Sequence, residues 1–202
     1  MMPDGPGDAF LRWWFEPWRY GGPPLSAYCD SVLAQRDGYR HWCAQAGVVA
    51  ELPHRPQLEW QAAVCTDRAQ LLRAAELFGG LLAARRHRQE ELALLAPALR
   101  RWCLAVALTQ PLADWRPDLP AGLRGPRGRG LSELALRMEH VFPGMWSRLR
   151  LLLPDELAAA VSAALTDPAP ASATPALPVA PPAVRERDRR CWLMCLAQGA
   201  MA

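Results

Sequence analysis

Cysteine and histidine are the residues best suited to nucleophilic or metal chemistry, and the chain holds six of the first and four of the second. Cys29, Cys43, Cys65, Cys103, Cys191 and Cys195 are scattered, with no Cys-x-x-Cys pair, and most lie among aliphatic and aromatic neighbours. A structural zinc site draws on closely spaced ligand pairs. The nearest approach is His41-x-Cys43, with Cys29 upstream and Cys65 or His54 downstream. The expected state is buried, reduced thiol, without a metal or a disulfide framework. No spacing selects a Cys–His nucleophile pair such as Cys103 with His41. His87 lies in an Arg run, and His54 sits in a proline-flanked loop.

Other catalytic signatures are missing. The chain has no Lys, which removes any Gly-x-x-x-x-Gly-Lys phosphate loop, and it has no Gly-x-Gly-x-x-Gly or Gly-x-Ser-x-Gly. The acid pairs Glu90-Glu91 and Asp155-Glu156 suit a helix surface and a helix start. No catalytic residue, cofactor, metal or small-molecule substrate is expected.

Two segments suit recognition better than reaction. Arg124-Gly-Pro-Arg-Gly-Arg-Gly130 resembles strips that track a phosphate backbone, so a nucleic-acid-binding regulator is the alternative functional class. Against it, the net charge is only +3, which gives no broad basic field. Phe10 to Tyr20 packs six aromatics into eleven residues (FLRWWFEPWRY). Such a cluster either starts a core or anchors an interface, because Trp, Tyr and Arg dominate interface energetics.

The elements that position these residues read as helices. In 202 residues, 51% are apolar, 21% are charged, and 20 are Pro, so the chain can bury a core but cannot form one unbroken rod. All 23 basic residues are Arg, while Lys, Ile and Asn are absent; these three share A/T-rich codons, so base composition accounts for the Arg load.

A short helix or turn is expected before Pro17, and Ser26–Ala46 is helix-compatible with Tyr28, Val32, Tyr39, Trp42 and Cys43 inward. From Thr66 or Asp67, Leu71, Leu72, Ala75, Leu77, Phe78, Leu81 and Leu82 recur at helical spacing. Gly79-Gly80 then marks a kink or a close helix contact. A further helix runs from Pro97 to Gln110, a loop from Pro111 to Gly130, and a helix capped by Ser132 up to the break at Phe142-Pro143-Gly144. Helical stretches follow over Met145–Leu153 and Leu157–Leu165.

Across Thr166–Val184, six prolines and no charge after Asp167 mark a linker. The expected organisation is a mainly α, irregular multi-helix single domain over 1–166 with Pro/Gly-rich loops, an Ala/Pro-rich linker over 167–184, and a tethered C-terminal helix over 185–202. No apolar run reaches the length of a membrane span, and the N-terminus carries no secretory signal, so a cytosolic protein is expected.

Phe15-Glu16-Pro17-Trp18-Arg19-Tyr20 followed by Pro23-Pro24, then Phe142-Pro143-Gly144-Met145-Trp146-Ser147-Arg148-Leu149-Arg150-Leu151, and the closing Arg190-Cys191-Trp192-Leu193 together resemble the YscK/SctK family of type III secretion accessory proteins. The resemblance implies a non-enzymatic cytosolic adaptor at the cytosolic face of the inner membrane. Its partners would be the cytoplasmic domain of the inner-membrane ring protein and the pod protein of the sorting platform. On this reading Trp13, Trp14, Trp18, Arg148 and Arg150 are candidate contact residues.

Overall fold

Proline and glycine set most of the helix ends. The computed structural model describes residues 5–24, 31–54, 57–115, 119–166 and 181–201; the chain is mainly α-helical, and no strand occurs among the described residues. α1 (Asp8–Phe15) stops before a 3-10 turn, Pro17–Arg19, because Pro17 cannot continue it. α2 (Val32–Ala46) starts where the Ser31 hydroxyl accepts from the Ala34 amide at 3.2 Å. It ends at Gly47, which takes the left-handed conformation usual after a helix.

α3 (Arg68–Arg85), α4 (Gln89–Ala93) and α5 (Pro97–Thr109) follow, the last with its proline in the first turn as expected. α6 (Pro126–Val141), α7 (Met145–Leu149), α8 (Asp155–Thr166) and α9 (Pro182–Met201) complete the series. No described helix is long and apolar enough to cross a membrane.

Several expectations need correction. Val32 is not an inward position of α2: it is 80% exposed, while Trp42 and Cys43 are buried. Tyr28, Cys29 and the Ser26–Asp30 start of that helix lie outside the described residues, as does 167–180 of the expected linker. The Arg85–Arg88 run, which the sequence leaves as either a join to the next helix or a continuation, is a join: α3 ends at Arg85 and the chain turns into α4 with His87 in the left-handed region at φ 56. The loop expected to Gly130 ends at Pro126, so Ser132 is not a cap. It lies inside α6, buried, and its hydroxyl donates to the Gly128 carbonyl at 2.9 Å.

Contacts gather in two compact units: Met1–Asp67 with Met138–Pro154, and Arg68–Arg137 with Asp155–Ala202. In the first, Phe10, Trp13 and Trp14 bury one face of α1, and Phe142 packs on Phe10 and Trp14 at ring distances of 5.6 and 5.4 Å. A second cluster is built on Trp42, Cys43 and Val48, with Trp18, Tyr39 and Leu151 against it.

In the second unit α3 is central. A Cβ on Gly79 would stand 1.8 Å from the Pro126 carbonyl oxygen, and one on Gly130 would stand 1.8 Å from that of Ala75. The glycines therefore let the α3 and α6 backbones touch, and Gly79-Gly80 marks close contact within one continuous helix. α9 packs along α3: Trp192 meets Phe78 edge-on at 5.9 Å, and the Gln70 amide donates to the Leu196 carbonyl at 3.3 Å.

Candidate functional site

The residues singled out for recognition come together in the first unit, and most of them face inward. Trp14 has no exposed surface; Trp13 is 5% exposed, stacks on Tyr20 at 5.6 Å, and donates its indole N–H to the Cys65 carbonyl at 3.3 Å. Trp18 is half-buried, edge-on to Trp42 at 5.7 Å and Tyr39 at 6.3 Å.

Arg148 has no exposed surface either. Its Nε donates to the Trp14 carbonyl at 2.9 Å, Nη1 to the Gly144 carbonyl at 3.0 Å, and Nη2 to the Val49 carbonyl at 2.8 Å and the Tyr39 hydroxyl at 3.2 Å. The guanidinium lies 3.5 Å above the Trp14 ring. Arg150 donates to the Ala46 and Gly47 carbonyls at 2.6 and 2.7 Å.

These two arginines are helix caps. The Trp14 carbonyl belongs to the last turn of α1, and Ala46 and Gly47 close α2, so each guanidinium meets carbonyls that the helix itself leaves unpaired. Gly144 makes this possible. Its φ of 86 turns the chain from α6 into α7, and a Cβ there would press Val49 at 3.0 Å and Trp14 at 3.2 Å.

Desolvation lowers the Arg148 pKa and pushes the Tyr39 and Tyr20 hydroxyls well up. The contact role expected for Trp13, Trp14 and Arg148 is therefore corrected to a core role. Trp14 and Arg148 have no exposed surface with which to touch a partner, and Trp13 exposes only 5%. Arg150 is spent on α2, and Trp18 retains only partial exposure.

Different residues hold the surface. Phe15, Val32, Tyr39, Ala50 and Leu52 line an open depression of ≈ 560 Å³, with Gln35, Arg36, Arg40 and Glu51 also lining it. Phe15 is 39% exposed and Val49 45%. The signal was present in the sequence: Val32, Gln35, Arg36, Tyr39 and Arg40 fall at one helical spacing, and Phe15 lies a 100° step off the Trp14 face.

The residues considered for chemistry do not converge. No group of three or more His, Cys, Asp or Glu suited to a metal occurs among the described residues. His41 is exposed and hydrogen-bonded to Gln45 at 3.0 Å, while Cys43 is buried, because residues two apart on a helix point to different faces. Burial pushes the Cys103 thiol up to about 12 and that of Cys191 up to about 11, and raises Cys43 and Cys195 as well. Such thiols stay protonated at neutral pH and are poor nucleophiles.

The Arg-Gly strip is also engaged within its own unit. Gly130 makes the crossing with α3, Arg129 grips the Glu91 carboxylate with two bonds at 2.8 Å, and Arg127 pairs with Glu76 at 3.1 Å. Gly128 and Gly130 thus serve close packing, and Gly125 takes a φ of 98 just before α6.

Comparison with known proteins adds no relative: no family model, curated protein or solved structure matches the chain.

Proposed function

We propose that the chain is a non-enzymatic adaptor of the YscK/SctK kind, bridging the inner-membrane ring to the pod protein of a bacterial type III secretion system on the cytosolic side. The observation that carries the protein-docking part of this reading is the apolar depression of the first unit. Phe15, Val32, Tyr39, Ala50 and Leu52 present aromatic and aliphatic surface there, alongside Gln35, Arg36, Arg40 and Glu51. Aromatic and aliphatic groups together with arginines are residue types that protein interfaces favour. The raised thiol pKa values and the scattered histidines support the non-enzymatic part. The identity of the partners rests on the resemblance in the Phe15–Tyr20, Phe142–Leu151 and Arg190–Leu193 stretches.

The test is co-purification with the ring protein's cytoplasmic domain and, separately, with the pod protein. Both should be recovered by the wild-type chain, and Val32→Glu should weaken one of them by about tenfold, a typical loss at an interface anchor. Val32 is 80% exposed, so this variant keeps its fold. Failure of the wild-type chain to recover either partner removes the secretion reading.

A further inference from the structure

The outward face of α5 lacks the polar cover a surface helix carries. On a helix of 3.6 residues per turn, Pro97, Ala98, Arg101, Leu104, Ala105 and Leu108 fall within roughly a third of the circumference. All six are exposed, Leu104 at 43% and Leu108 at 86%. The opposite side holds Cys103 and Ala107, both buried, with the Cys103 Sγ near the site where a Gly80 Cβ would stand, at 2.7 Å. A helix with one face in a core ordinarily turns charged residues to water. Here the exposed face offers Arg101 alone among aliphatic groups.

Charge narrows the occupant. α5 contains Arg100 and Arg101 and no acid. A second copy would bring cation against cation with no carboxylate on either face. Ala98 and Ala105 stand seven residues apart on the exposed stripe, leaving shallow places between Arg101 and the leucines where another helix can approach closely. We infer that this face docks an amphipathic helix of a partner protein, with large aliphatic side chains laid along Ala98, Leu104, Ala105 and Leu108 and a carboxylate paired with Arg101. This deepens the adaptor reading and rests on it only for the partner being a protein.

The test is selection of a phage-displayed library of amphipathic helical peptides on the wild-type chain. The expected result is enrichment of helices with acids flanking a Leu-rich stripe. Their synthetic versions should bind Leu108→Glu and Arg101→Glu about tenfold more weakly, with helical circular dichroism unchanged. Both positions face solvent, so if one variant loses helicity the other carries the comparison.

No enrichment, enrichment without acids, or equal binding to both folded variants overturns the inference. So does a dimer in sedimentation that Leu108→Glu dissolves, which makes the face a self-association surface. Co-sedimentation with phosphatidylserine vesicles that Leu108→Glu abolishes makes it a lipid-binding face and also overturns the inference. Loss of the ring and pod interactions with peptide binding intact would sink the secretion reading alone. Absence of peptide binding with both proteins still recovered would sink the α5 face alone.

Discussion

Arg148 in the first unit and Arg137 in the second are both shut away from water, and they are neutralised in opposite ways. Arg148 meets three carbonyls, a tyrosine hydroxyl and an indole face, all uncharged. Arg137 lies against the Glu133 carboxylate and forms an ion pair with Asp188 at 3.1 Å. It also donates to the Ala113 carbonyl at 2.6 Å and sits 5.4 Å from the Phe78 ring and 4.9 Å from that of Trp115.

Further ion pairs lie in the same unit: Arg129 with Glu91 at 2.8 Å and Arg88 with Asp114 at 2.7 Å, the Asp114 side chain having no exposed surface. The comparison separates two jobs of a buried cation. One organises backbone, gathering helix ends that have no partners of their own. The other balances buried acids, and it fails differently when removed.

The largest expected effect comes from breaking the ionic side. Arg137→Met strands Glu133 and Asp188 in the core and should cost about 3–5 kcal/mol at neutral pH, read by urea unfolding. Burial already holds the Asp188 carboxyl above its ordinary value, with Arg137 pulling it down. A carboxyl raised in the folded state gives stability that is present below its unfolded pKa and lost as pH rises through the folded one. The Arg137→Met deficit should therefore shrink as pH falls from neutral toward the carboxylate range. A deficit that stays constant with pH would show that Asp188 is not what the arginine balances.

Next in size, Arg148→Met leaves three carbonyls and a hydroxyl without their donor and should cost about 2–4 kcal/mol. No carboxylate is among these acceptors. The loss should hence be the same at mildly acidic and neutral pH, the opposite of Arg137→Met. Smaller again, Arg148→Lys keeps the charge but cannot reach acceptors spread across a planar fork, and about 1–3 kcal/mol should be lost. Full stability in the lysine variant would mean that charge matters there and geometry does not. The smallest effect marks the baseline. Glu51→Gln removes a 3.7 Å pair with Arg40 in which both side chains are more than half exposed, and it should change stability by less than about 0.5 kcal/mol.

Local patterns made most helices legible, and long-range partners hid the rest. The α3 leucines, the Pro97 start and the Phe142-Pro143-Gly144 break announce themselves within a few residues. Arg148 does not, since its acceptors on Trp14 and Val49 lie 134 and 99 positions away in the chain. In Met145–Leu153 it reads as the polar member of an amphipathic stretch. The strip at 124–130 misleads for a similar reason. Glycine and arginine in alternation suit a loop, until α3 supplies glycines for α6 to cross and Glu91 to hold Arg129. Val32 was misplaced because apolar character marks a residue for a core or for a partner alike.

Descendants of this sequence are constrained at the α3–α6 crossing in a way that side-chain packing does not impose. A side chain enlarged in a packed core can be accommodated when a neighbour shrinks, because side chains trade volume. At Gly79 and Gly130 the obstructing atoms are the carbonyls of Pro126 and Ala75, which any residue placed there would also carry. No second-site suppressor can remove them. The two glycines are closed to drift and locked to each other, whereas Gly122, with nothing within 4 Å of the missing Cβ, is sterically open to it.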